Sequence, residues 1–375
     1  MEASPFRFEA PVSPHELIGR DAEAAALRAY LLAGRAVSIA APRRMGKTSL
    51  LGKVAADLNT HKPRVIVVRV DLLGLEGPGD FATRWASAWR RALPAGGPAR
   101  RGLERALNGL AGLGVSVAGV GVQVSFPRGQ DQAPVLQALL DLPRQAGGKV
   151  VVMLDEFQAL FDAWPEGEGV LRGHVQRQLG DVSYVFSGSQ PHLLEAAFSQ
   201  QGRAFYNQVL RFPLGRLGVG TLQVAIGERF TNGGRDVSDA LPRLLAIADG
   251  HPQRSMLLAH LLWEQVVGAR TATPADAEAV LVKARVWLSD EMIGRWESLT
   301  PVQRAALGAV NRHGSAVVSP ATDGPHGKAS LQTAQNWLLR QAVIEVDDRR
   351  AGSRGGARYR LVDPMLGDWL EQRRR

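Results

Sequence analysis

The sequence predicts an α/β fold with a largely parallel sheet, because β-rich and helical segments alternate through roughly the first half of the chain. The β-rich runs are continuously apolar, which is typical of strands covered by helices on both faces. A polar turn follows the first run and leads into a helical segment, the order expected of a phosphate-binding loop. The predicted central strands are Val37 to Ala40, Val65 to Asp71, Val150 to Leu154 and Val182 to Ser187.

The first strand and its turn read VSIAAPRRMGKTSLLGKVA and fit the P-loop pattern, which ends in Gly46, Lys47 and Thr48. Ala41 stands where the pattern usually begins with glycine, a minor departure because a turn with negative φ tolerates a methyl group. Backbone N–H groups of such a loop bind phosphate oxygens. We expect Lys47 to reach the β and γ phosphates of a nucleotide and the Thr48 hydroxyl to bind Mg²⁺. The predicted nucleotide contacts of the turn are Ala41, Pro42, Arg43, Arg44, Met45, Gly46, Lys47, Thr48 and Ser49.

Two carboxylates, Asp155 and Glu156, follow the third central strand directly in VVVMLDEFQAL. Open α/β sheets bind ligands at the carboxyl ends of their strands. Asp155 is therefore predicted to hold Mg²⁺ and Glu156 to polarise the attacking water, which makes Lys47, Asp155 and Glu156 the candidate catalytic residues. The alternative is a helix N-cap followed by a second acid near the helix dipole, and this is the weaker explanation after a P-loop.

Two further segments accompany these strands. The fourth strand ends in FSGSQ, where Ser187 or Ser189 is a candidate to direct a hydroxyl toward the γ-phosphate; the alternative for each is an ordinary loop serine. Alternating valines around a glycine-containing break, from Val115 to Phe126, predict a small hairpin.

Composition excludes several classes of protein. The 375 residues contain no cysteine, which excludes disulfides, thiolate zinc sites and iron–sulfur clusters. No apolar run approaches the roughly 20 residues of a membrane helix, and the N-terminus lacks signal-peptide features, so we expect a soluble, cytoplasmic protein. The net charge of +9 is compatible with nucleic-acid contact and equally with an arginine-rich solvated surface. The region from Leu299 onward carries twelve basic and seven acidic residues, over half of this excess.

Several segments together resemble prokaryotic AAA-like ATPases of the archaeal-ATPase and STAND group, relatives of origin-recognition ATPases. They are PFRFEAPVSPHELIGRDAEAAAL, AAPRRMGKTSLL, MLDEFQAL, ADGHPQRSMLLAHLL and YRLVDPMLGDWL. The layout also resembles P-loop ATPases of the additional-strand, catalytic-glutamate type. The resemblance covers nearly the whole chain and implies ATP, ADP and Mg²⁺ as ligands. It also implies three parts: an α/β core over residues 1–219, a helical lid over 220–297 and a winged helix over 298–375.

The resemblance extends to residues outside the loop and the acidic pair. In ELIGRDAE, Ile18 and Gly19 would lie against the adenine; the alternative is an ordinary helix entry. In GHPQR, the residues His251, Pro252 and Arg254 would face the nucleotide phosphates from the lid. Arg203 and Arg211 are candidates for a cation that reaches a γ-phosphate in cis or from a neighbouring subunit, with a plain surface arginine as the alternative for each.

The C-terminal region resembles a winged helix, with LTPVQRAALGAV and SLQTAQNWLLRQ as helices and AVIEVDDRRAGSRGGARYRLV as two strands joined by a basic wing. The second helix is expected to bury Leu331, Ala334, Trp337 and Leu338. It would then present Gln332, Gln335, Asn336 and Arg340 to base edges, while Arg349, Arg350, Arg354 and Arg358 of the wing contact phosphates. Protein docking is the alternative, and Glu345, Asp347 and Asp348 weaken the positive field.

The sequence thus predicts an ATP- and Mg²⁺-dependent AAA-like ATPase that acts as a molecular switch on duplex DNA or on a partner protein, including a second copy of itself. The alternative is an ATP-sensing DNA-binding regulator, or a protein-docking scaffold, with little turnover. Glu156 argues against that alternative, because a purely structural nucleotide needs no base to polarise water. A defence or toxin–antitoxin ATPase is neither supported nor excluded by the residues.

Overall fold

The structure is a computed structural model, and it describes residues 3–109, 115–118, 121–124, 126, 132–268, 270–316, 326–347 and 357–373. The strands are β1 Ala36–Ala40, β2 Val65–Asp71, β3 Val115–Ala118, β4 Gly121–Val124, β5 Lys149–Asp155, β6 Val182–Gly188, β7 Leu210–Arg211, β8 Ile344–Val346 and β9 Tyr359–Leu361. The helices are α1 Asp21–Leu32, α2 Lys47–Asn59, α3 Pro78–Ala92, α4 Pro98–Gly109, α5 Ala133–Leu140, α6 Leu142–Gln145, α7 Ala159–Ala163, α8 Gly167–Gln178, α9 Pro191–Ser199, α10 Val219–Asn232, α11 Leu241–Ala248, α12 Pro252–Gln265, α13 Pro274–Glu297, α14 Pro301–His313, α15 Lys328–Arg340 and α16 Pro364–Gln372.

A five-stranded parallel sheet in the order β2-β5-β6-β1-β7 forms the centre of the first part of the chain. All four predicted central strands are present, each within a residue of the predicted bounds. In space β6 separates β1 from β5, and β2 lies at the edge beyond β5. Because the strands are parallel, the residues that follow β1, β5 and β6 meet at one edge of the sheet.

The two faces of the sheet carry separate apolar cores. One lies under α1 and α2 and includes Leu27, Val54 and Phe212. The other lies under α3, α5, α8 and α9 and contains a group of aromatic rings around Phe157 and Phe186. Burial on both faces explains why β1, β5 and β6 are mostly apolar, whereas the edge strand β2 carries the exposed Arg69.

The predicted hairpin is present as the antiparallel pair of β3 and β4. Val122 and Val124 are buried against α3, and the Thr83 hydroxyl both donates to the Val124 carbonyl and accepts from its N–H. The hairpin therefore extends the core on this face of the sheet.

Among the described residues after Gly218, helices α10 to α15 precede the short antiparallel β8–β9 pair. One apolar core runs through α10 to α16 and also takes in Phe6 from the N-terminal segment. The division of the chain at residues 219/220 and 297/298 stays a prediction. Within the described residues no helix is both long and apolar enough to cross a membrane.

Helix α15 buries a face that differs from the predicted one at two positions. Gln335 is buried and its Oε1 accepts from the Ala316 N–H at 2.7 Å, so the expectation that Gln335 faces outward is wrong. Trp337, expected in the core, is 37% exposed. The buried residues Leu331, Ala334, Gln335 and Leu338 follow the i, i+3, i+4, i+7 spacing of one helix face. The Gln335 amide can be buried on this face because it has a backbone hydrogen-bond partner.

The predicted wing is described only in part. Arg349, Arg350 and Arg354 lie outside the described residues. Arg358 is described, and its Nη1 donates to the His313 carbonyl at 2.6 Å. Arg358 therefore ties the start of β9 to the end of α14.

Candidate functional site

The turn between β1 and α2 has the backbone of a phosphate-binding loop. Gly46, the N-cap of α2, has φ of 85°, and Arg44 has φ of 70°. A Cβ at Gly46 would meet no atom within 4 Å, so glycine is favoured there by conformation and not by space. Ala41 is buried and is not among the described residues with positive φ, which agrees with the expectation that this position tolerates a methyl group.

Lys47 lies at the centre of the loop. Its side chain is buried, and its Nζ donates to the carbonyls of Ala41 at 2.7 Å and Pro42 at 2.9 Å. Burial lowers the pKa of Lys47 to about 8, against the opposing effect of the Glu156 and Asp155 carboxylates. The loop thus holds an ammonium group whose charge is sensitive to mildly alkaline pH.

Arg20 supports the loop from outside. Its buried guanidinium donates to the carbonyls of Met45 at 3.3 Å and Gly215 at 2.6 Å and pairs with Glu23. Arg20 was not among the site residues predicted from the sequence. The sequence shows only a charged residue next to Gly19 in ELIGRDAE. The carbonyls that Arg20 binds belong to Met45 and Gly215, which are distant in the sequence.

Asp155 is held between two hydroxyls at the edge of the sheet. Thr48 Oγ1 donates to Asp155 Oδ2 at 2.8 Å, and Ser187 Oγ donates to Asp155 Oδ1 at 2.5 Å. A hydroxyl and a carboxylate are the hard oxygen ligands that Mg²⁺ prefers, often with water completing its coordination. The residues at this position fit a Mg²⁺ ion, although the described residues contain no cluster of three His, Cys, Asp or Glu side chains.

Glu156 lies beside this pair with φ of 54°, an uncommon conformation for a non-glycine residue. Its Oε2 accepts from Ser189 Oγ at 2.6 Å, from the Ser189 N–H at 3.3 Å and from Gln158 Nε2. Ser187 and Ser189, expected to face a γ-phosphate, thus each bind one of the two acids. Gln158 was not predicted from the sequence. The polar residues of DEFQ and SGS, which end neighbouring strands, were the available signal.

A cavity of about 480 Å³ adjoins these residues, within the range of roughly 300 to 1,000 Å³ that is usual for small-molecule sites. Its lining comes from three parts of the chain. They are the N-terminal residues Pro5, Arg7 to Val12 and Glu16 to Ile18, the loop and sheet-edge residues Arg43, Arg44, Gly46 to Ser49, Leu73 and Glu156, and the helical-region residues Leu217, Arg229, Pro252, Gln253 and Met256. Ile18 and Pro252, both predicted to contact nucleotide, line this cavity.

The N-terminal segment forms a wall of the cavity that the sequence analysis did not assign. Phe6 anchors it in the helical core, where its ring stacks on Phe230 at a centroid distance of 5.0 Å. Its far end is fixed to α2, because the Val12 N–H donates to Ser49 Oγ at 3.1 Å. The segment therefore connects the helical core to the phosphate-binding loop.

Arg254 does not face the cavity. Its side chain is 1% exposed, and its guanidinium donates to both carboxylate oxygens of Asp363, at 3.0 and 2.5 Å, and to Glu291 at 3.2 Å. The expectation that Arg254 faces nucleotide phosphates is therefore corrected. Successive residues of a helix point in different directions around its axis. In the first turn of α12, Arg254 therefore points into the protein, while the preceding residue, Gln253, lines the cavity.

Three other candidates also have different surroundings. Gly19, with φ of 65°, packs under α10, where a Cβ would lie 3.1 Å from Thr221 Cγ2. Arg203 pairs with Glu168 at 2.7 Å and lies over the Phe161 ring. Arg211 is exposed on β7, the edge strand beside β1. None of the three lines the cavity described above.

Solved structures share this architecture over nearly the whole chain. A Walker-type ATPase of Pyrococcus abyssi is similar over 98% of this chain and 99% of its own, at 15% sequence identity and a TM-score of 0.69. The ORC2 protein of Aeropyrum pernix in its ADPNP–ADP complexes is similar over 98% and 97%, at 16% identity and a TM-score of 0.58. Its ADP form is similar over 97% and 96%, at 15% identity and a TM-score of 0.53.

No family model and no curated protein sequence matches this chain. At such low identity the structural likeness shows the fold alone, and it confirms the predicted P-loop NTPase fold with a parallel sheet. The place of the chain in the STAND group stays a prediction.

Replacing Lys47 with Met is expected to weaken ATP binding strongly, because it removes the cation that would contact the phosphates. The variant also loses the hydrogen bonds to the Ala41 and Pro42 carbonyls, so circular dichroism should verify that it is folded. Since the pKa of Lys47 is about 8, the affinity of the wild type should also fall between pH 7 and pH 9, as the ammonium loses its proton. Calorimetric titration with ATP at several pH values measures both effects. Lys53→Met, a change at a partly exposed lysine of α2 that pairs with Asp57, is the matched control. Unchanged ATP affinity in a folded Lys47→Met variant would show that the P-loop assignment is wrong.

Proposed function

We propose that this protein binds ATP with Mg²⁺ and hydrolyses it to ADP and phosphate. The observation that carries the proposal is the meeting of Lys47 and Thr48 with Asp155 and Glu156 at one edge of the sheet, beside the cavity. These residues are about a hundred positions apart in the sequence. Their convergence supplies a phosphate-binding cation, a pair of hard oxygen ligands and a carboxylate base in one place.

Each residue has a distinct role in this proposal. Lys47 and the loop N–H groups bind the β and γ phosphates, while Thr48 and Asp155 hold the metal ion. Bound at these two residues, Mg²⁺ would supply positive charge that stabilises the negative charge of the phosphates. Glu156 orients the attacking water and accepts its proton.

We further propose that the bound nucleotide acts as a switch that changes how the helical region is arranged relative to the phosphate-binding loop. The cavity is lined both by the phosphate-binding loop and by Pro252, Gln253 and Met256 of the helical region. Arg44 of the loop also pairs with Glu291 of α13 at 2.5 Å. A ligand that binds both parts can shift their arrangement only through its different affinities for the two states, so ATP and ADP must differ in their contacts with this lining.

The test is ATP turnover by the purified protein with Mg²⁺, with EDTA, and with or without duplex DNA. Mg²⁺-dependent release of phosphate supports the proposal, and stimulation by DNA supports DNA as the partner. Tight ATP binding without turnover under all these conditions would instead favour an ATP-sensing regulator or docking scaffold. Failure to bind ATP would overturn the whole proposal.

Duplex DNA is the partner we propose for the C-terminal region, through a winged helix with a basic wing. The basic excess after Leu299 supports it. Replacing Arg349, Arg350 and Arg354 with Ala is expected to lower affinity for any duplex and to make the log–log salt slope shallower by up to about three units, near one per lost phosphate contact. Fluorescence anisotropy at several salt concentrations measures this effect.

The matched control for the wing is the triple replacement of Arg91, Arg101 and Arg105 with Ala. These arginines of α3 and α4 are exposed, so the control removes the same charge from a different surface. ATP binding should survive both triple replacements. If the wild type binds no duplex at low salt, with ATP, ADP or neither, the C-terminal region is better assigned as a docking site for a partner protein.

A further inference from the structure

The carboxylate of Glu156 is held through one of its two oxygens. All the hydrogen bonds to this side chain from the described residues end on Oε2, and they come from the Ser189 hydroxyl, the Ser189 N–H and Gln158 Nε2. Oε1 receives none of them. Since Glu156 lines the cavity, its carboxylate has one fixed oxygen and one available to a ligand.

The Gln158 side chain contacts Glu156 in an arrangement that leaves one of its own polar atoms unpaired. Its side chain is buried, and its Nε2 also donates to Ser189 Oγ at 3.3 Å. Its Oε1 is buried without a hydrogen-bond partner among the described residues, although an unpaired buried acceptor is ordinarily destabilising. Such an arrangement persists in proteins where function compensates for it.

Gly188 leaves room for the Gln158 amide. A Cβ at position 188 would lie 2.3 Å from Gln158 Oε1, and φ of Gly188 is not positive, so the requirement for glycine is one of space. The SGS sequence at the end of β6 thus places a donor, Ser189, directly after a residue small enough to admit the amide. DEFQ, which begins with the last residue of β5, and SGS, which includes the last two residues of β6, are thus joined by side-chain contacts.

We propose that Gln158 is a positioning residue of the hydrolysis site, which with Ser189 fixes one oxygen of Glu156 and thereby orients the other toward the attacking water. The inference rests on the proposed ATPase function. It assigns a role to a residue that contacts the base and does not line the cavity. The left-handed backbone at Glu156 makes such support necessary, because that conformation is strained and the side chain must be held from elsewhere.

The first test replaces Gln158 with Leu, which is close in volume and removes the donor. We expect kcat to fall about tenfold or more, the usual scale for residues that orient a catalytic group, with KM and ATP affinity within about twofold of wild type. Gln137→Leu, the same change at an exposed position of α5, is the control and should leave kcat unchanged.

A double-mutant cycle separates positioning from a merely structural role. Because Gln158 acts through Glu156, the Gln158→Leu change should cause no further loss of single-turnover rate in a Glu156→Gln background. A loss of the same size in both backgrounds would overturn the proposal, since it would show an effect independent of the base.

Gly188→Ala tests the same contact without removing the amide, and it serves also if Gln158→Leu does not fold. The added methyl should displace Gln158 and lower kcat with ATP binding retained, and it should have little further effect in Gln158→Ala. If Glu156→Gln abolishes turnover but both Gln158→Leu and Gly188→Ala match wild type, the positioning role is wrong and the ATPase proposal stands. If Glu156→Gln itself leaves turnover unchanged, the assignment of Glu156 as the base and the positioning role of Gln158 fail together, while hydrolysis of ATP stands.

Discussion

Glu156→Gln is expected to lower ATP turnover by roughly 10²-fold or more, the scale of losing a general base, while ATP still binds. The amide keeps the size of the side chain and can still contact Ser189, but it cannot accept a proton from water. Turnover is measured as phosphate release, and binding by calorimetry on the same preparation. The comparison separates chemistry from nucleotide affinity.

Asp155→Asn is the informative companion variant. Asp155 accepts from Thr48 and Ser187, and its proposed role is to hold Mg²⁺, so its replacement should weaken the Mg²⁺-dependent part of ATP binding. Equal, measurable turnover in Glu156→Gln and wild type would refute the assignment of Glu156 as the base.

Arg254→Met is expected to destabilise the protein by up to about 3 to 5 kcal/mol, because it removes the nearest cation from the buried carboxylate of Asp363 and leaves it with the more distant Arg295 at 3.7 Å. The Arg254 and Asp363 side chains are 1% and 5% exposed. Burial would raise the pKa of Asp363, but the hydrogen bonds from Arg254 and its positive charge hold this pKa below its usual range. The midpoint of chemical denaturation, followed by tryptophan fluorescence, measures the loss.

Two further variants test whether this loss of stability comes from the buried charge. Arg254→Met combined with Asp363→Asn should be less destabilised than Arg254→Met alone, since the buried charge is removed while the amide can still accept from the Met365 N–H. Arg243→Ala breaks a pair with Glu278 in which both side chains are more than half exposed, and it should cost at most about 1 kcal/mol. A denaturation midpoint for Arg254→Met equal to that of wild type would show that the pair does not hold α12 to α16.

The Arg254 pair also connects the phosphate-binding loop to the C-terminal region. Glu291 of α13 binds Arg44 of the loop through one oxygen and Arg254 through the other. Arg254 in turn binds Asp363, the N-cap of α16. The loop and the last helix are thus joined by alternating charges on four residues.

Local patterns in the sequence were sufficient for the sheet, the loop and the acidic pair. Apolar runs mark strands buried on both faces, and Gly46, Lys47 and Thr48 form a turn whose geometry depends on neighbouring residues. Asp155 and Glu156 follow their strand directly, so their place at the sheet edge follows from parallel topology. These features depend on residues that are close in the sequence or on a repeated apolar pattern, and both can be recognised from the sequence alone.

Only the tertiary structure decided which partner each polar side chain has. Ser189 binds Glu156, Gln335 binds the backbone of Ala316, and Arg254 binds Asp363 instead of facing the cavity. An apolar pattern predicts that a helix has a buried face but does not fix its rotation closely enough to place one amide or one guanidinium. The partners lie between 19 and 109 residues apart, and the choice among them is made by how the helices pack.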